Sequence, residues 1–214
     1  MNSKNNNFIS LYIRMFTKPG KTFDRLMNSG NKLSYGFYAL LVPAVGYTLF
    51  YLMAWNAGGS PSTFKPWLNL PIEKYFMYDI FLTIPGYFVS WSTAAVLVFL
   101  LSRLLKGNAK FEDILMVIGF GVGIATWSSM LHDLTDAFLA TIGVIDMKEY
   151  ERLLNEPTFW RYLLLTLYMI YFFWFISLFT IGIKKANNFN YFKSIVLAII
   201  GLAAYQSLLL IFIR

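Results

Sequence analysis

The stretch LSYGFYALLVPAVGYTLFYLMA, residues 33–54, contains no charged side chain. As an α-helix it would rise roughly 33 Å, which is enough to cross a hydrocarbon core of about 30 Å. Backbone groups exposed to lipid have no water to bond, so a helix is required there. The alternating ten-residue pattern of a membrane β-barrel does not occur in the sequence. The stretch is therefore predicted to be a transmembrane helix.

Four further apolar stretches of similar or greater length follow it. The complete set of predicted spans is 33–54, 75–105, 111–131, 160–183 and 194–213. The second span is longer than one crossing needs and contains Asp79 and Pro85, so we expect a kink near Pro85 and first turns at the interface. The sequence predicts an all-α fold, a polytopic membrane bundle of five transmembrane helices.

The composition supports a membrane protein. Of the 214 residues, 57% are hydrophobic and 14% charged, whereas soluble domains carry about a quarter charged residues. The absence of cysteine excludes disulfides, thiolate metal sites and cysteine nucleophiles. The net charge of +7 comes mostly from residues near the predicted membrane ends. Topology and anionic lipid account for these charges, so no nucleic-acid partner is predicted.

The segment before the first span is predicted to form two short amphipathic helices on the membrane surface. Aromatic and aliphatic residues alternate with basic ones from Phe8 to Met27, Pro19 opens the second helix, and Gly30 closes it. Residues 1–32 would form a cytoplasmic or interfacial segment, and residues 33–214 the transmembrane domain. The basic residues expected to contact lipid headgroups are Lys18, Lys21, Arg25 and Lys32.

The distribution of lysine and arginine predicts the orientation. The N-terminal segment and the second and fourth connections share one side and carry twelve of these residues, against six on the other side. Positive residues accumulate on the cytoplasmic side. We therefore predict a multi-pass membrane protein with its N-terminus in the cytoplasm and its C-terminus outside.

Two polar residues lie within predicted spans. Asp79 is a candidate functional residue because intramembrane carboxylates are costly. It lies about one turn inside the outer boundary, so it could instead be an interfacial acid or pair with Lys74 or Arg161. Gln206 is a mid-membrane amide, and its expected role is a hydrogen bond between helices.

A second polar group follows the third span. His132 and Asp136 are four residues apart and would share a helix face with Asp133 beside them. They could bind a divalent metal if Asp79 or Glu149 joined them. The alternative is a solvated acidic extension of the helix. With one histidine in the chain and no GxSxG or Walker motif, we predict no catalytic residues, no enzyme activity and no cofactor.

Gly119, Gly121 and Gly123 form the sequence GFGVG. A nucleotide-binding loop would need a preceding strand and a helix start after it. These glycines instead lie in the middle of a predicted span, so we interpret all three as positions of close helix packing.

The order of features resembles the Yip family of Ypt/Rab-interacting membrane proteins, over nearly the whole chain. The similar segments are TKPGKTFDRL before the first span, LLVPAVG within it, GNAKFEDILMVIGFG at residues 107–121, and FFWFISLFTIGIKKANNFNYFKSIVLAII at residues 172–200. The resemblance implies five spans and a cytoplasmic N-terminus. The short form resembles the prokaryotic branch of the family, which implies a bacterial cytoplasmic membrane. The family often has a proline about six residues after the glycine-aromatic step, where Ala125 and Thr126 stand here.

The resemblance also shapes the functional prediction. Eukaryotic members have a longer N-terminal region with a tyrosine-glycine motif that is missing here, so a Rab-type GTPase partner is not expected. The leading hypothesis is a non-enzymatic adaptor that organises membrane proteins or membrane. Its partners would be the lipid bilayer and either a membrane protein or a second copy. The alternatives are a transporter or channel component with a polar path along Asp79, Asp133, Asp136 and Gln206, and a metal-dependent membrane enzyme that uses His132.

Overall fold

The computed structural model describes residues 7–61, 67–68 and 70–213, and within them it contains helices and no strands. The predictions for residues 1–6, Lys65 and Arg214 lie outside the described residues. A single 3₁₀ turn, Ile72–Lys74, precedes α4. The α-helices are α1 (Phe8–Thr17), α2 (Pro19–Met27), α3 (Lys32–Asn56), α4 (Tyr75–Leu104), α5 (Phe111–Ala125), α6 (Trp127–Thr141), α7 (Met147–Asn155), α8 (Phe159–Asn187) and α9 (Tyr191–Phe212).

Four helices are long and apolar enough to cross a membrane: α3, α4 with its preceding turn, α8 and α9. Large apolar side chains on them face outward, including Phe81, Phe173 and Phe192. Such a surface is stable in lipid and would be costly in water. The predicted all-α polytopic membrane bundle is confirmed.

The third predicted span, 111–131, corresponds to a broken helix. The α5 and α6 helices are separated at Thr126, where the chain bends by 47°, and together they form one candidate span. The sequence prediction placed a single span at 111–131, but helix continues to Thr141. Apolar residues at helical spacing beyond His132, such as Leu134 and Phe138, extend the helix. His132, Asp133 and Asp136 therefore lie within α6 and not in a connection after it.

The two predicted N-terminal helices are present. In α2, Phe23 and Leu26 are buried while Lys21 and Arg25 are exposed, so this helix is amphipathic. The α1 helix differs, because apolar residues occupy both its buried and its exposed sides. Arg14 of α1 is half-buried. The placement of α1 on the membrane surface stays a prediction.

The chain divides into two compact units. The first comprises the chain up to Val42, Ser90–Ala125 and Phe172–Tyr205. The second comprises Pro43–Val89, Thr126–Tyr171 and the chain from Gln206 onward. Each of the four long helices contributes one segment to each unit.

Close backbone contact between α3 and α5 characterises the first unit. A Cβ atom on Gly119 would overlap the carbonyl oxygen of Gly36, and one on Gly123 would overlap the carbonyl oxygen of Ala39. Gly121 is different, because its nearest neighbour would be the Phe175 ring at 3.7 Å, an ordinary contact. Two of the three predicted packing glycines therefore allow the backbones of two helices to touch, and the third does not.

The first unit also contains two polar contacts near the start and end of α5. The Lys32 Nζ lies 2.7 Å from Asp113 Oδ1, and both side chains are largely buried. The Tyr12 hydroxyl of α1 donates to the carbonyl oxygen of Gly123 at 2.5 Å. That carbonyl lies in the last turn of α5, where the helix break leaves acceptors without intrahelical partners. Tyr12 therefore satisfies one acceptor that the break exposes.

Candidate functional site

The second unit contains a cavity of about 80 Å³. It lies among α3, α4, α6, α7 and α8, and each of these helices supplies at least one lining residue. The walls are aromatic, with Tyr47, Tyr51 and Tyr168 among them. The polar part comes mainly from α6, whose residues His132, Asp133 and Asp136 all line the cavity. The structure therefore brings together the three neighbouring polar residues singled out from the sequence.

A hydrogen-bonded network joins these three residues to two tyrosines. The Tyr47 hydroxyl donates to Asp133 Oδ2 at 3.0 Å, and Asp133 Oδ1 lies 3.1 Å from His132 Nδ1. The same Nδ1 is 3.1 Å from Asp136 Oδ2. Tyr150 of α7 donates to Asp136 Oδ2 at 2.6 Å, and its oxygen lies 3.0 Å from His132 Nε2. The network connects α3, α6 and α7 within one unit.

The acceptors around His132 favour its protonated form. Nδ1 faces two carboxylate oxygens, which can only accept, so this nitrogen carries a proton. The single Tyr150 proton is directed at Asp136 in the shorter bond, so the contact with Nε2 requires a proton on that nitrogen as well. Both ring nitrogens therefore donate, and His132 is best satisfied as an imidazolium between two carboxylates.

The α7 helix contributes a phenol that stays protonated. Burial raises the pKa of Tyr150 above its ordinary value, and the hydrogen bond to Asp136 raises it further. On the exposed side of α7, the Arg152 guanidinium bonds to Glu149 and lowers the pKa of that carboxyl. Arg152 also pairs with Glu156. The two sides of α7 thus have separate partners, and the cavity side holds a neutral hydroxyl donor.

The contacts of His132 are those of a ring hydrogen-bonded between two carboxylates and a phenol. An imidazolium has no lone pair with which to accept a proton or bind a metal. Ser129, the serine of the network, bonds to the Tyr47 hydroxyl at 3.0 Å. Within residues 7–61, 67–68 and 70–213, no three His, Cys, Asp or Glu side chains are placed to hold a metal ion. The weak metal candidates His132 and Asp136 contact each other, with Nδ1 and Oδ2 at 3.1 Å.

The other candidate residues lie apart from the cavity lining. Asp79 was expected near water, but it is completely buried within α4. The reason is that Asp79 lies on the inward face of α4 together with Phe76 and Thr83, which are also buried. Gln206 accepts a hydrogen bond from the Tyr171 hydroxyl at 3.4 Å, which is a contact between α8 and α9. Of the four residues in the polar path predicted from the sequence, two, Asp133 and Asp136, line the cavity.

The predicted lipid-contacting residues divide into two groups. Lys18, Lys21 and Arg25 are exposed at or near α2. Lys32 is paired with Asp113, and its side chain is only 14% exposed. Three of the four cations are therefore accessible to a headgroup, whereas the fourth belongs to the contact between α3 and α5.

The tyrosines of the network were missed by sequence reasoning. Tyr47 and Tyr51 lie four residues apart on α3, a spacing that places them on one helix face and could have indicated a shared environment. Tyr150 gave no comparable signal, because it belongs to a short helix in what was taken for an acidic connection. Tyrosine is also common near membrane interfaces, so its presence alone does not indicate a polar site.

Comparison with known proteins identifies the family. The sequence model described as the Yip1 domain matches residues 13–213. The chain belongs to the Yip1 domain family. No curated protein and no solved structure matches the chain significantly.

The break between α5 and α6 lies where the family often has a proline. The Yip1 resemblance placed a customary proline near Ala125 and Thr126, and the helix is interrupted at Thr126 although no proline is present. The Thr126 carbonyl accepts from the Met130 amide at 2.9 Å and starts the next helix. In this Yip1 domain protein, the break therefore occurs without a proline, and Tyr12 bonds to the Gly123 carbonyl just before it.

Proposed function

We propose that this Yip1 domain protein is a non-enzymatic membrane adaptor that organises partner membrane proteins, or copies of itself, in the bilayer. The observation that carries the proposal is the contrast between its polar and apolar groups. The polar side chains of the cavity of the second unit bond to one another. Large apolar side chains, in contrast, are exposed on α1 and on the long helices.

The α1 helix is the surface that we assign to partner contact. Its buried residues Leu11 and Met15 hold it against the first unit, and its Tyr12 hydroxyl bonds to α5. Ile9 and Ile13 point away from the protein and are more than 60% exposed. This helix is held in place without using its outer face, so that face remains available to a transmembrane helix of another protein. The exposed cations of α2 would keep the segment at an anionic leaflet, each contributing about 1 kcal/mol.

Site-specific photocrosslinking in native membranes tests this assignment. A photoreactive residue at Ile13 is expected to yield a discrete protein adduct. The matched control is Phe173 of α8, which is similarly exposed, 64% against 62% for Ile13, and should yield lipid adducts only. An adduct of twice the mass of the chain would identify self-association. Equal adducts at both positions, or lipid adducts alone at Ile13, would contradict the proposal.

We further propose that the N-terminus lies in the cytoplasm and the C-terminus outside. The support is the twelve-to-six distribution of lysine and arginine. Because the chain has no cysteine, single cysteines can be introduced for labelling. A cysteine replacing Val144, in the turn after α6, should react with an impermeant maleimide in intact cells. One replacing Gly30, where a Cβ meets nothing within 4 Å, should react only after lysis. The reverse pattern would invert the topology.

A further inference from the structure

The cavity of the second unit has a charge opposite to that of the protein. The chain carries a net charge of +7. Among the described residues, the lining contains the carboxylates Asp133, Asp136 and Glu151, one histidine, and no lysine or arginine. Even with His132 as an imidazolium, the lining remains net negative. A cation entering this cavity would therefore be attracted by charges that the protein itself only partly neutralises.

The residues that line the cavity indicate which chemical class of cation would bind there. Four tyrosines and two phenylalanines contribute to the lining, beside methionine and leucine side chains. Aromatic faces attract ammonium groups, and rings grouped around one space form the cages that hold organic cations. A small inorganic cation would require a shell of oxygen ligands, and no three carboxylate or histidine side chains of the described residues are placed to hold a metal ion. An organic ammonium ion matches both the charge and the apolar walls.

The size and the unused acceptor capacity are also compatible with this ligand. A volume of about 80 Å³ holds about two or three water molecules, or a protonated amine with a short carbon chain. Each carboxylate oxygen has two acceptor positions, so the bonds from Tyr47, His132 and Tyr150 do not exhaust the capacity of Asp133 and Asp136. An ammonium group could donate to these carboxylates while its carbon atoms contact the rings.

We propose that this cavity is a binding site for an organic ammonium ion, held by Asp133 and Asp136 against the rings of Tyr47, Tyr51 and Tyr168. The ammonium could belong to a free amine or to the headgroup of an aminophospholipid, because the recognised chemistry is the same. The site is independent of the adaptor function: binding is measured on purified protein without any partner, so failure of one proposal leaves the other standing.

Calorimetric titration of the full-length protein in an uncharged detergent tests the proposal. Ethylammonium is expected to bind, and ethanol, which is similar in size but uncharged, is not. Asp133→Asn and Asp136→Asn should each weaken ethylammonium binding at least tenfold. Glu149→Gln is the matched control, because Glu149 is an exposed acid of α7 that does not line the cavity. Its affinity should equal that of the wild type.

Two comparisons keep the test decisive when a variant folds poorly. The selectivity for ethylammonium over ethanol and over potassium is measured on the wild-type protein alone. Native mass spectrometry from nanodiscs that contain equal phosphatidylethanolamine and phosphatidylglycerol then identifies the source of the ligand. Retention of the amine lipid without ethylammonium binding supports a headgroup site. Absence of both kinds of binding, equal affinity for potassium, or binding unchanged in folded Asp133→Asn and Asp136→Asn proteins would overturn the proposal.

Discussion

Gly119→Ala is expected to destabilise the protein by about 2–3 kcal/mol, whereas Gly121→Ala, two residues away on the same helix, should be neutral or stabilising. The added methyl group at Gly119 would meet the backbone of Gly36, including its carbonyl oxygen and its Cα atom. Backbone cannot rotate out of the way as a side chain can, so α3 and α5 must separate. At Gly121 the methyl group makes only an ordinary contact with the edge of the Phe175 ring.

The measurement is the thermal unfolding midpoint of each purified variant in the same mild detergent. For a protein of this size, a loss of 2 kcal/mol lowers the midpoint by roughly 4–8 °C. Gly121→Ala serves as the control for helix propensity, which favours alanine over glycine by up to about 1 kcal/mol. Equal midpoints for Gly119→Ala and Gly121→Ala would contradict the assigned contact between α3 and α5.

This difference between neighbouring glycines shows what could be predicted from the sequence. Apolar stretches of sufficient length and the GFGVG pattern predicted helices and close packing, because length and residue size are local properties. They could not predict which glycines contact a partner helix. That depends on the crossing position of α3, which brings Gly36 to Gly119 and Ala39 to Gly123. Proline position likewise gave no indication of the break at Thr126.

The candidate site was predictable to a similar extent. The spacing of His132 and Asp136 predicted a shared helix face, and the two residues form an ion pair. The partners that determine the chemistry come from other helices. Tyr47 lies 86 residues from Asp133, and Tyr150 lies 14 residues from Asp136. Only tertiary packing places them there. The same packing places the Asp79 side chain in the protein interior, although its sequence position suggested contact with water.

The second large effect is expected at the buried ion pair of Lys32 and Asp113. Asp113→Ala should destabilise the protein by about 3 kcal/mol, because removal of the carboxylate leaves the Lys32 ammonium without its counterion in a largely buried position. Asp113 also accepts from the Lys110 amide at 2.9 Å at the start of α5. The same substitution therefore removes a helix cap, which typically contributes about 1 kcal/mol.

Lys32→Met should cost less than Asp113→Ala, roughly 1–2 kcal/mol. The remaining carboxylate keeps the Lys110 amide and the favourable end of the α5 dipole. Exposed Arg152 provides the control: Arg152→Met breaks surface pairs with Glu149 and Glu156 and should cost less than about 1 kcal/mol. Thermal unfolding of the three variants should give the order Asp113→Ala, Lys32→Met, Arg152→Met, from the largest effect to the smallest.

The same variants separate a structural role of Lys32 from lipid-headgroup contact. If the ammonium serves Asp113, the cost of Lys32→Met should be the same in neutral and in anionic lipid. If it serves phosphate groups, the cost should rise with the anionic fraction, as expected for Lys21→Met on the exposed side of α2. Suppose that the stability cost of Lys32→Met rises with the anionic fraction and that Asp113→Ala costs little. The pair at 2.7 Å would then not hold α3 against α5. If the cost of Lys32→Met does not depend on the lipid, then Lys18, Lys21 and Arg25 are the ones among the four predicted cations that contact anionic headgroups.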